Sequence, residues 1–79
     1  MDKSLAAQLE SVLYKAAGEG ASLTSMTVDY GAAEVAGELE AKAWIERATR
    51  SLIFAQAELR RADGGLAASG SAIFRRSEV

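Results

Sequence analysis

At Gly18-Glu19-Gly20 the spacing of apolar residues changes from the helical period to a period of two, and it does not change back. Ahead of that point Leu5, Leu9, Val12, Leu13 and Ala16 recur at helical spacing and form one apolar stripe. Asp2 or Ser4 can cap such a helix and the glycines end it, so a helix is expected over residues 3–17. Four alternating segments follow. In 22–30, Thr24, Met26, Val28 and Tyr30 alternate with polar or small residues. In 37–47, Leu39, Ala41, Ala43 and Ile45 are set against Glu38, Glu40, Lys42 and Glu46, with Trp44 the exception on the polar side. In 51–61, Ile53, Ala55, Ala57 and Leu59 alternate with Phe54, Gln56, Glu58 and Arg60. The strongest turn signal, Asp63-Gly64-Gly65, precedes a last segment, 66–75, in which Leu66, Ala68, Gly70, Ala72 and Phe74 share a face. The expected fold is α+β: one helix packed on a four-stranded antiparallel sheet, with the strands running as a meander. Ser69-Gly70-Ser71 lies inside a strand pattern, where small residues allow something to pack closely over the backbone, most simply the helix.

A chain of 79 residues builds at most one small domain, and domains of that size are marginal without disulfides, metals or partner subunits. There is no cysteine and no histidine, which excludes a disulfide framework, a thiolate zinc site, a catalytic cysteine and a histidine base. No metal-ligand constellation and no cofactor motif is present. The hydrophobic fraction is 49%, but much of it is alanine, which contributes little transfer energy per residue. Area buried against another subunit would add to it. A net charge of −2 with interleaved signs gives no field for nucleic acid, so none is expected as a partner. No apolar run is long enough for a signal-peptide core or a membrane span, and a cytoplasmic protein is expected.

The residues resemble a known family at several places. Leu5-Ala6-Ala7-Gln8-Leu9-Glu10-Ser11-Val12-Leu13 looks like the helix segment that carries the catalytic Asp or Glu of hot-dog-fold acyl-CoA thioesterases. Met26-Thr27-Val28-Asp29-Tyr30 is similar to the strand after that helix, and Gly37-Glu38-Leu39-Glu40-Ala41-Lys42-Ala43 follows. The stretch from Arg60 to Phe74 resembles the family's closing hairpin. The type resembled is that of the phenylacetate-pathway and 4-hydroxybenzoyl-CoA thioesterases. The resemblance implies a hot-dog-like fold, in which a curved antiparallel sheet wraps a central helix. Family members have one or two strands ahead of that helix and a glycine-containing turn at its start. Here Met1-Asp2-Lys3 stands in that place, so an N-terminally truncated hot-dog domain is expected.

By resemblance Glu10 occupies the carboxylate position that activates water or attacks the thioester. Independently, at 100° per residue it sits about 100° from the centre of the apolar stripe, on the flank of the buried face. An ordinary solvated glutamate beside Tyr14 or Lys15 fits the same position. Ser11 and Tyr14 lie one and four residues on, and similar family positions hold water or substrate, although a tyrosine there also suits a subunit contact. Without histidine neither hydroxyl has a base to make it a nucleophile. Arg47 and Arg50 fall near a strand end where the family often carries basic residues, and they are candidates for the phosphates of coenzyme A.

The resemblance also implies assembly. In the family the strand after the helix pairs with its symmetry mate, a role Thr24–Tyr30 would take in a homodimer or tetramer. The 38–47 strand would then have an edge without its usual neighbour, blunted by Glu38, Glu40, Lys42 and Glu46. Two functions remain open: an acyl-CoA thioesterase acting at a subunit interface, and a non-catalytic module that binds an acyl or aromatic ligand or only assembles.

Overall fold

The computed structural model describes residues 4–31 and 38–76. The alternative cap Asp2, the expected helix residue Lys3 and the expected strand residue Gly37 lie outside the described residues. Helix α1 runs over Leu5–Ala17. Ser4 is its N-cap: the side-chain oxygen accepts the Ala7 N–H at 3.0 Å, satisfying one of the donors that a first turn leaves open. At the other end Gly18 takes φ 89° and donates its N–H to the Tyr14 carbonyl, a conformation that costs a residue with a Cβ.

Four strands follow: β1 (Ala21–Tyr30), β2 (Leu39–Ala48), β3 (Leu52–Arg61) and β4 (Leu66–Arg76). They form one antiparallel sheet in the order β1-β4-β3-β2. The helix on one face of this sheet is the α+β, hot-dog-like arrangement. The strand order departs from a meander. Only β2, β3 and β4 follow one another as hairpins, whereas β1 pairs with β4 and the chain then crosses to the opposite edge. A period-two pattern determines which side chains share a face and says nothing about which strands are neighbours. The charges do bear on it: a meander would put β2 inside the sheet, while Glu40, Lys42, Glu46 and Arg47 suit an edge.

The helix-facing layer is built from small side chains. Leu9 and Leu13 of α1 are fully buried, and beneath them the core includes Ala55, Ala57, Ala68 and Ala72, closed by Ile53, Leu59 and Phe74. At Gly70 the packing is close enough that an added Cβ would lie 3.5 Å from Leu9 Cδ1 and 3.4 Å from the Thr27 carbonyl oxygen. The small-residue segment of β4 is therefore the seat of the helix.

At the edges the alternation weakens. In β2 only Leu39 and Ala43 pack against the core, and Ala41 and Ile45 remain exposed, Ile45 at 41%. An edge strand has a neighbour on one side only, so its inward side chains are covered less. In β1 the register shifts between Leu23 and Ser25. Thr24 is the extra residue and its hydroxyl donates to the Ile73 carbonyl at 2.8 Å, so Leu23 rather than Thr24 continues the inward set with Met26 and Val28.

The second face of the sheet carries no described element. The strand register lays its side chains in rows across all four strands: Thr27, Ser71, Gln56 and Trp44 in one, Ser25, Ile73, Phe54 and Arg47 in the next. No helix among the described residues is long and apolar enough to cross a membrane, which has no bearing on spans made by strands.

Candidate functional site

Tyr14 fixes how the helix flank sits on the sheet. Its ring meets Phe74 edge-on, with centroids 5.0 Å apart at 76°, and its hydroxyl accepts the Leu23 N–H at 3.4 Å. That flank of α1 is thus turned toward β1. Glu10 lies one turn earlier on the same flank, because residues four apart are neighbours on a helix surface. It is exposed, and among the described residues it makes no hydrogen bond or ion pair, with Lys15 or any other. The expected companions separate here. Tyr14 shares the flank of Glu10, but ring and hydroxyl are both engaged inside the protomer. Ser11 is half-buried and lies about 100° round the helix from Glu10.

The arginines are elsewhere. Arg47 pairs in register with Phe54, which places it on the face without the helix, and Arg50 is at the tip of the β2–β3 hairpin. That hairpin is closed by the Thr49 N–H donating to the Leu52 carbonyl at 2.7 Å. Within one protomer Glu10 and Arg47 lie on opposite sides of the sheet and do not converge on one ligand. A thioester whose nucleotide reached these arginines would need them from another subunit.

A concavity also lies on the face without the helix. A cleft of about 390 Å³ is lined by Ser25, Thr27, Arg47, Phe54, Ser71 and Ile73, among others. Beside it Trp44 stands 38% exposed, its indole Nε1–H donating to Glu46 at 2.9 Å. Trp44 was legible in the sequence as an aromatic out of phase. Ile73 carried the same signal, standing in phase between Ser71 and Arg75, and Phe54 carried it on one side only, with Gln56 polar and Leu52 apolar.

Charged groups interact most closely near the β3–β4 turn. Arg60 forks onto Glu58 with two contacts of 3.1 Å, and that hydrogen bonding lowers the Glu58 pKa and raises that of Arg60. Asp63 accepts the Gly65 N–H at 2.9 Å and pairs with Arg61 at 2.7 Å. The backbone N–H of Gly65 is the larger cause of its lowered pKa. These groups shape the hairpin, and none lies on the flank that carries Glu10.

Compared with known proteins, the chain matches the model of the thioesterase superfamily over residues 4–68. No curated protein and no solved structure matches it.

Proposed function

This chain belongs to the thioesterase superfamily, and from that premise we propose that it binds and hydrolyses an acyl-CoA thioester at an interface between subunits, with Glu10 as the working carboxylate. One observation carries the proposal: Tyr14, one turn on from Glu10 on the same flank of α1, accepts the Leu23 N–H of β1, and among the described strands β1 has a neighbour on one side only. A second copy paired along Thr24–Tyr30 would bring its own surface beside Glu10 and form a cleft there, in a homodimer or in a tetramer built from it. Glu10 would take a proton from the attacking water as its oxygen adds to the thioester carbonyl, or would itself attack that carbon. In the first route the adduct collapses, the carbon–sulfur bond breaks and Glu10 returns its proton to the departing thiolate; in the second the thiolate leaves a mixed anhydride on Glu10 and takes a proton from water, and hydrolysis of that anhydride releases the acid and frees the carboxylate. Tyr14 would form part of the wall and Ser11 of the same helix would position water or substrate, while Arg47 and Arg50 would come from a subunit of a second pair, since a β1-paired copy keeps them on the other face and at the far edge. An aromatic acyl group of the phenylacetyl or 4-hydroxybenzoyl type is the substrate class in view.

A second function is favoured by the state of Glu10 itself. It is exposed, and no described side chain orients it. A module that binds an acyl or aromatic ligand, or only assembles, requires no oriented carboxylate. Thioester hydrolysis over an acyl-CoA panel, followed by release of free thiol, separates the two. Turnover lost in Glu10→Ala, with assembly intact, supports the enzyme. A folded, assembled wild-type protein that turns over no substrate refutes it.

A further inference from the structure

We propose that the cleft on the helix-free face of the sheet is a binding site for a free α-amino acid with an aromatic side chain. Such a site needs neither Glu10 nor a second subunit, so it stands or falls apart from the hydrolysis proposal. It is built along one row of the sheet. The register partners Arg47, Phe54, Ile73 and Ser25 lie side by side across all four strands, and all four line the cleft of about 390 Å³. That volume is in the range of small-molecule sites, which are mostly apolar with a few placed polar groups. Phe54 and Ile73 are half-buried and give the row an apolar floor.

The charges identify the ligand class. In a regular strand Glu46 and Arg47 would point to opposite faces. The β2 irregularity between Ile45 and Arg47 sets both against the same cleft. Although adjacent and of opposite sign, they do not pair with each other, and Arg47 makes no ion pair or side-chain hydrogen bond among the described residues. Glu46 accepts the Trp44 indole N–H at Oε1, a neutral donor that orients the carboxylate and leaves its charge uncompensated. One wall thus presents an open cation and an open anion, the complement of a carboxylate and an ammonium carried on one carbon. A phosphate would meet Glu46 as a like charge, and a simple carboxylic acid would leave it unmatched. From that wall the ligand's side chain would lie along the row, over Phe54 and Ile73 and beside Trp44, where a ring finds aromatic partners. Ser25 closes the far end, three strand spacings or about 14 Å away.

Trp44 is the sole tryptophan, so its fluorescence reports on this cleft. The experiment titrates phenylalanine, phenylethylamine, which lacks the carboxylate, and phenylpropionate, which lacks the ammonium, into wild type, Arg47→Gln and Glu46→Gln. Binding is read by calorimetry and by Trp44 emission. Glu46 and Arg47 are exposed, so both replacements leave the core in place, and the glutamine at position 46 can still accept the indole N–H. The expected result is saturable, submillimolar binding of phenylalanine with a shift in Trp44 emission. Each analogue should bind about tenfold more weakly, the scale of one hydrogen bond to a charged group. Arg47→Gln should weaken phenylalanine by about the same factor, and Glu46→Gln should abolish the preference for phenylalanine over phenylpropionate. Phenylalanine that does not bind, or that binds without moving Trp44 emission, overturns the proposal. So does undiminished binding by Arg47→Gln, or phenylpropionate binding wild type as tightly as phenylalanine, which would make the cleft a plain carboxylate site. None of these readouts involves acyl-CoA turnover or Glu10, so failure here leaves the hydrolysis proposal to its own test.

Discussion

Shortening Leu9 to alanine tests whether the helix is held by its fit to the backbone of β4. Leu9 is fully buried, and beneath it Gly70 has no side chain that could move up into a vacated space. Leucine-to-alanine changes at such sites cost about 3–5 kcal/mol, the higher values where the surroundings cannot collapse. A folded chain of 79 residues has about 4–12 kcal/mol in total at ~0.05–0.15 kcal/mol per residue, so Leu9→Ala alone should remove a large part of it. Gly70→Ala should behave differently. Its new Cβ would meet Leu9 Cδ1 at 3.5 Å and the Thr27 oxygen at 3.4 Å, which is ordinary contact, and the unfolded chain loses freedom. A net change within about 1 kcal/mol is expected. Together the two should be non-additive, because the methyl at position 70 fills part of the space left at position 9. The double variant should be more stable than the sum of the singles by about 1 kcal/mol, near the value of one buried methyl group. Urea denaturation followed by circular dichroism, at one fixed protomer concentration, measures all four corners of the cycle. A Leu9→Ala cost below about 1.5 kcal/mol, or additivity within about 0.3 kcal/mol, would refute the close seating of helix on strand.

Two further outcomes are expected. Tyr14→Phe should cost less than about 1 kcal/mol, since it removes only a long, exposed hydrogen bond, whereas Tyr14→Ala also loses the Phe74 ring contact and should cost about 2–3 kcal/mol; equal costs in urea denaturation would show that the ring contact contributes nothing. Stability should also fall with acid, because Glu58 and Asp63 both hold lowered pKa values in the folded state. Their contribution is fully present above the unfolded carboxylate value of about 4 and is lost as pH drops through the lower folded values. Asp63→Asn should flatten that acid slope in urea midpoints taken across the pH series, and an unchanged slope would contradict the assignment.

Much of the fold was legible because periodicity reads burial directly. The change of period at Gly18-Glu19-Gly20 marks the end of α1, and the inward set of β3 is buried at Ile53, Ala55, Ala57 and Leu59. Strand order was less legible, since alternation is the same for an inner and an outer strand, and the crossing from β1 to β2 left its trace only in the charges of β2. Thr24 illustrates a local limit: it keeps phase with Met26 in the sequence, but the bulge turns its hydroxyl onto the Ile73 carbonyl. For the candidate site, the position of Glu10 on the helix flank follows from rotation per residue. That Arg47 lies across the sheet from it does not, because that depends on the extra residue at Glu46 and on the side of the sheet that α1 covers.

The two outer strands of the sheet are not equivalent, and that inequality governs how far association can run. A sheet with two adhesive edges can add copies head to tail without end, each new strand exposing another edge like the last, which is the route to a fibre. Here β1 offers ten residues with Asp29 as its single charge, while β2 offers Glu40, Lys42, Glu46 and Arg47 over the same length. Pairing of β1 with its own copy consumes the adhesive edge of both chains and leaves only the two charged ones facing outward. If β1 pairs with its own copy as proposed, growth of the sheet would stop at two, with termination built into the composition of a single strand.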